Sequence, residues 1–135
     1  MITVIGEALV DIIVDTEGQV TSVIGGAPLN TARAVARLGI PATFLGGVST
    51  DAFGERIMRL LGADGVTLAL GAQVPEPTTL AIATLDDSGA ATYRFMMEGT
   101  SAAVVTPEMA RAHVGPDARA LHVGTLGLVL QPLAD

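Results

Sequence analysis

Apolar and polar positions alternate along this chain in two rhythms, and the switches between them mark out its elements. Residues 2 to 14 form a β-branched run (Ile2, Val4, Ile5, Val10, Ile12, Ile13, Val14) that reads as one buried strand. Asp15-Thr16-Glu17-Gly18 then turns the chain into a second strand near 19 to 24. From residue 28 the period lengthens to that of a helix, which runs to Leu38. Gly39 stops it and Pro41 prevents its return. A strand over 42 to 47 follows, and Ser49, Thr50 and Asp51 offer three N-caps for a helix with Phe53, Ile57, Leu60 and Leu61 on one face. Gly62 or Gly65 ends that helix.

The second half returns to period two. Thr79 to Leu85 reads as a strand, Asp86-Asp87-Ser88-Gly89 as a turn, and Ala91 to Met97 as the partner strand. Ala91, Tyr93 and Phe95 fall on one side of it. Thr106-Pro107-Glu108 starts a short helix, and Arg119 to Gly124 is the last strand. Helices between strands imply a doubly wound α/β layer, and the two hairpins imply a separate small sheet. Pro75-Glu76-Pro77 has linker composition but is too short to bound a domain, so residues 1–135 form one unit.

Two places carry chemistry. Gly25 and Gly26 open a helix with Asn30 in its first turn, so a ligand could lie on bare backbone near the partly positive helix start. Asn30 offers that ligand both donors and acceptors, and Pro28 suits the first helical position. The same stretch also reads as a plain strand-to-helix turn. Glu7 and Asp11 interrupt the first apolar run, where charges rarely sit without a partner or a task. An ionised Asp only accepts hydrogen bonds, which suits sugar hydroxyls that must donate. Alternatively, Glu7 caps the strand and Asp11 begins a solvated hairpin.

Taken together, these segments resemble the PfkB (ribokinase-like) family of carbohydrate kinases. The matching residues are Gly6-Glu7-Ala8-Leu9-Val10-Asp11, Gly25-Gly26-Ala27-Pro28-Leu29-Asn30 and Ala36-Arg37-Leu38-Gly39. Phe44 to Gly54, Pro77-Thr78-Thr79-Leu80-Ala81, Tyr93-Arg94-Phe95, Glu98-Gly99-Thr100 and Ala120 to Leu126 continue the match in order. Within the family the first strand is most similar to the fructokinase type. The resemblance implies a ribokinase-like doubly wound sheet, here incomplete, with a small β-sheet lid near residues 10–24 and 79–102. It also implies ATP-dependent phosphorylation of a sugar hydroxyl, with ATP and Mg2+ as cofactors of the intact enzyme.

Carried across residue by residue, the resemblance makes Asp11 the holder of sugar hydroxyls, with Gly25, Gly26 and Asn30 as the pocket floor. Tyr93 and Phe95 would cover the sugar ring, although their alternation fits core packing equally well. Gly124 would leave space beside the substrate at a strand end. Glu98 stands where related fructokinases often carry Arg, which favours a neutral hexose or ketose over a sugar acid. The family's Gly-Ala-Gly-Asp motif with its catalytic Asp does not occur in these 135 residues, so no catalytic residue is assigned. The chain is therefore expected to be the N-terminal portion of a sugar kinase, inactive alone and able to form a homodimer through its lid. Such a dimer would cover the edge of an apolar strand such as Leu80-Ala81-Ile82-Ala83. The rival expectation is a non-catalytic sugar-binding or dimerisation module.

Composition narrows the partners. Seven basic residues, all Arg, against fourteen acidic ones leave a net charge of −7, which disfavours nucleic acid and anionic membrane. There is no Cys, so disulfides and thiolate metal sites are excluded. His113 and His122 are the only histidines and lack ligand spacing, so no metal is expected, and His122 reads as a hydrogen-bonded core residue. Ser101 lacks a nucleophile motif, and neither a Walker loop nor a G-x-G-x-x-G fingerprint is present. Asp51 reads as a helix cap, and Met96 and Met97 as packing residues. No membrane-length apolar run and no basic leader occur, in keeping with a cytoplasmic α/β protein.

Overall fold

The computed structural model describes residues 1–129 and 131–135. Among the described residues the strands form two four-stranded sheets. The first is parallel and contains β1 (Ile2–Ile5), β4 (Ala42–Leu45), β5 (Thr67–Leu68) and β8 (Ala120–Val123), in the order β5-β4-β1-β8. The second contains β2 (Leu9–Val14), β3 (Val20–Gly25), β6 (Thr79–Leu85) and β7 (Ala91–Met96), in the order β3-β2-β6-β7. Its outer pairs are antiparallel hairpins, and β2 and β6 join them in parallel.

The apolar run at 2 to 14 is thus not one strand but two, placed in different sheets. The break falls at Gly6-Glu7-Ala8, where Gly6 takes φ +144°, a conformation that strand-forming residues avoid. Hydropathy does not register the break, because both halves are buried where they meet. The short β5 was also not expected. Leu80 to Ala83 lies inside the second sheet, paired on both sides, so the exposed edges are β3 and β7.

Helix α1 (Ala27–Arg37) begins one residue earlier than its pattern implies, which makes Pro28 the second helical residue. Helix α2 (Ala52–Ala63) is capped by Asp51, whose side chain accepts from the Gly54 N–H at 2.8 Å. It passes through Gly62 before the chain turns at Gly65. Both helices pack on one face of the first sheet, where Leu29, Ala32, Ile57 and Leu61 meet Val4, Ala42 and Phe44. Asp64 ties them together, accepting from Arg33 Nε at 2.6 Å and Arg37 Nε at 2.7 Å. These two guanidinium groups hold its carboxyl below the usual carboxylate range.

Helix α3 (Pro107–His113) starts at Thr106, whose hydroxyl oxygen accepts from the Met109 N–H. It lies toward the other face, across a cavity of about 310 Å3 lined by Ile5, Ala110 and Val123 among others. His122 is exposed on β8 rather than set in a core, because β8 is the edge of its sheet. Phe44 is fully buried at the centre of the first layer. Phe44→Ala is expected to cost about 3–5 kcal/mol, read as a lower urea midpoint.

Candidate functional site at the junction of the two sheets

The β2–β3 hairpin is closed by Asp15, whose side chain accepts from the N–H groups of Glu17 and Gln19. That turn sets the register in which Asp11 faces Val23 on one side and Ala81 on the other. Ala81 in turn faces Phe95, and the next row on the same side is Thr21, Ile13, Ala83 and Tyr93. An acid and an aromatic ring therefore flank a strand of alanines, about 10 Å apart at the usual strand spacing.

Asp11 leans toward the junction. A Cβ built on Gly25 would lie 2.2 Å from Asp11 Oδ2, so the carboxylate rests directly over bare backbone. Burial pushes the Asp11 carboxyl up from its ordinary value. It is half-buried in mid-strand rather than solvated at a hairpin start. Gly26 follows at φ +107° and is the N-cap of α1, with no side-chain cap. A Cβ there would lie 2.6 Å from the Glu7 carbonyl oxygen.

Asn30 stands exposed on the first turn of α1, its N–H bonded to the Gly26 carbonyl at 2.9 Å. Its Oδ1 accepts from Arg33 Nη1 at 3.4 Å, which leaves the amide nitrogen free to donate. Asp11, Gly25, Gly26 and Asn30 thus follow one path from the second sheet into α1. Gly124 reaches the same helix from the other side. The room left by its missing side chain is taken by Pro28, since a Cβ would lie 2.9 Å from Pro28 Cγ. Gly124 therefore lets β8 pack closely against the start of α1.

Tyr93 and Phe95 are not core residues of this chain. They are 55% and 47% exposed and stack on each other with ring centroids 6.1 Å apart. The 310 Å3 cavity lies elsewhere, and none of the candidate residues lines it.

Glu7 is the paired charge that its place in an apolar run implies, not a strand cap. It is 4% exposed, its Oε1 accepts from the Thr125 hydroxyl, and its Oε2 has no partner among the described residues. The charge in an apolar run was the available signal. Thr125, at φ +35°, had none. Thr78 and Thr79 also act where no role was expected. The Thr78 N–H and hydroxyl donate to Asp51, and the Thr79 hydroxyl pairs with that of Thr100 at 2.7 Å.

The family described as pfkB family carbohydrate kinase matches residues 1–134. A fructokinase from Rhizobium leguminosarum bv. trifolii is 38% identical over 143 aligned positions, covering 100% of this chain and 42% of the relative. A fructokinase from Klebsiella pneumoniae is 33% identical, with 97% of this chain and 42% of the relative covered. Among solved structures, the fructokinase of Xylella fastidiosa superposes with a TM-score of 0.84 at 27% identity, over 98% of this chain and 45% of that one. The same fructokinase with bound ATP gives a TM-score of 0.82 at 26% identity, over 98% and 44%. This chain spans less than half the length of these relatives. The two-sheet arrangement is a portion of the ribokinase-like fold, and the chain belongs to the pfkB family of carbohydrate kinases.

Proposed function

We propose that this chain is the sugar-binding half of a fructokinase-like enzyme that phosphorylates a sugar hydroxyl with ATP. The observation that carries this reading is the Asp11 carboxylate, set over the bare Gly25 backbone at one end of a row that crosses Ala81 to Phe95. Ionised Asp11 accepts hydrogen bonds from neighbouring sugar hydroxyls, and the Asn30 amide donates to a sugar oxygen. Gly25 and Gly26 let the ring approach the peptide, with Gly124 acting on that floor through Pro28. The second sheet, near residues 10–24 and 79–102, is the lid, and Tyr93 and Phe95 close over the sugar ring. Such closure excludes water that would compete with the sugar as phosphoryl acceptor. A neutral hexose or ketose fits best, because Glu98 would repel a sugar acid.

The donor side lies outside this chain in our reading. ATP and Mg2+ supply the phosphoryl group and the charge neutralisation for its transfer. Among the described residues no group of three or more His, Cys, Asp or Glu converges. From the family resemblance we place ATP and Mg2+ mainly on residues absent from this chain, and assign no catalytic base here. The ATP-bound Xylella fastidiosa fructokinase supports ATP as the donor. No helix among the described residues is long and apolar enough to cross a membrane, which suits a cytoplasmic enzyme.

A homodimer through the lid is favoured by one feature. Strand β7 is an unpaired edge with Tyr93, Phe95 and Met96 all exposed, and β3 at the opposite edge exposes Val20 and Val23. A non-catalytic dimerisation module would use the same edges. Calorimetric titration of the chain with fructose, ribose and glucose, beside a coupled assay for ADP release, separates these readings. Fructose binding without turnover is the expected result. Turnover by the chain alone would overturn the assignment of catalysis elsewhere, and dimerisation with no sugar binding would favour the module.

A further inference from the structure

We propose that Asp51 is a positioning residue, the pin that fixes where the second sheet leaves the core layer. Its role as helix cap uses only part of its carboxylate. Oδ1 accepts from the Gly54 N–H at 2.8 Å and from the Thr78 hydroxyl at 2.7 Å, while Oδ2 accepts from the Thr78 N–H at 2.8 Å. One side chain thereby joins the first turn of α2 to the residue immediately before β6, twenty-seven positions later. Burial pushes the Asp51 carboxyl up, and hydrogen bonds from Thr78, Gly54 and Ser49 outweigh it and draw the carboxyl below its ordinary value.

The pin is reinforced on both sides. The Ser49 hydroxyl accepts from the Asp51 N–H at 3.0 Å, and Gln73 Nε2 donates to the Ser49 carbonyl at 2.6 Å. Next along the chain, Thr79 pairs its buried hydroxyl with Thr100, the Thr79 oxygen accepts from the Ala102 N–H, and the Ser101 N–H donates to the Pro77 carbonyl at 2.9 Å. The segment entering β6 and the segment leaving β7 are thus laced together, and Asp51 is the charged group that ties the lacing to the core. A helix cap alone needs one acceptor oxygen; this site uses both.

Asparagine distinguishes the two tasks. It caps helices about as well as Asp, so Asp51→Asn keeps the Gly54 contact. Its amide has a single acceptor oxygen, so the Thr78 N–H is left facing a donor. The consequence for ligand rests on the sugar-kinase reading, in which the pin sets how the second sheet, carrying Asp11 and Phe95 in one row, is placed against Asn30 on α1. The anchoring itself does not.

Amide hydrogen exchange on the 135-residue chain and its Asp51→Asn and Thr78→Val variants, followed by fructose titration, tests the proposal. In Asp51→Asn the Thr78 amide is expected to exchange about 10-fold faster or more, with Gly54 unchanged, because a charge-assisted bond is lost. Thr78→Val, which loses only the hydroxyl contact, shifts residue 78 in the same direction by less. Fructose affinity falls about 5- to 10-fold in Asp51→Asn, a change that a cap preserved at Gly54 would not cause. Equal acceleration at Gly54 and residue 78, or global unfolding of both variants, would make Asp51 a general stability residue and overturn the pin. So would unchanged exchange at residue 78. Failure of the unsubstituted chain to bind fructose would count against the sugar reading, while the exchange pattern would still decide the pin.

Discussion

Replacing Asp11 by alanine is expected to weaken sugar binding by about 10²-fold or more, because a site built to receive hydroxyl protons is left without its acceptor. In an intact enzyme the same change appears as a raised KM and a kcat/KM lowered by a similar factor. The fold should not suffer. Asp11 is a desolvated carboxylate whose pKa is raised above the ordinary 3.8 of the unfolded chain. A raised pKa means that the folded state holds the proton more tightly, so ionising Asp11 opposes folding. That opposition is absent below the unfolded value and complete above the folded one. At neutral pH Asp11→Ala is therefore neutral or slightly stabilising in a urea titration while affinity collapses. For the unsubstituted chain, sugar affinity falls with acidification, and the fall begins at a higher pH than an exposed aspartate would give. Unchanged affinity in the variant would remove Asp11 from the pocket.

The second large effect separates two adjacent glycines. Gly26 sits at φ +107° with Glu7 backbone where a Cβ would be, 2.6 Å from the carbonyl oxygen. Alanine must adopt a conformation close to the glycine-only region and displace main chain as well, for which we expect a loss of about 3 kcal/mol or more. For a chain of this size that corresponds to a melting temperature lower by about 10 °C or more. At Gly25 the obstacle is Asp11 Oδ2, the mobile end of a side chain. Gly25→Ala is therefore expected to keep most of the stability but swing the carboxylate aside, losing sugar affinity about as Asp11→Ala does. Thermal melts of both variants beside fructose titration check the contrast, and equal melting temperatures would refute it.

Local signals in the sequence carried much of this fold. Gly39 and Pro41 end α1, Asp51 and Thr106 begin α2 and α3, and the Asp-led turns at 15 and 86 close the two hairpins. What the sequence did not disclose is what distant segments do to one another. The division of residues 2 to 14 between two sheets depends on partners at 42, 79 and 120. The exposure of His122 depends on which strand is the edge. Thr78 gives no local hint that its partner lies at Asp51, nor Thr125 that it reaches Glu7 across the sheet junction. In the candidate site, the proximity of Asp11 to Gly25 follows from hairpin register and was within reach of the pattern. The filling of the room at Gly124 by Pro28 was not.

The parallel pairing of β2 with β6 has a consequence for how the molecule is made. The first hairpin leaves the ribosome before its neighbour β6, which is not translated until α1 and α2 have followed. Until then Val10 and Ile12 on β2 have no strand on one side, and closing that interval demands a long, entropically costly loop. Nascent chains halted before residue 79 should therefore be captured by chaperones more readily than those released after residue 96.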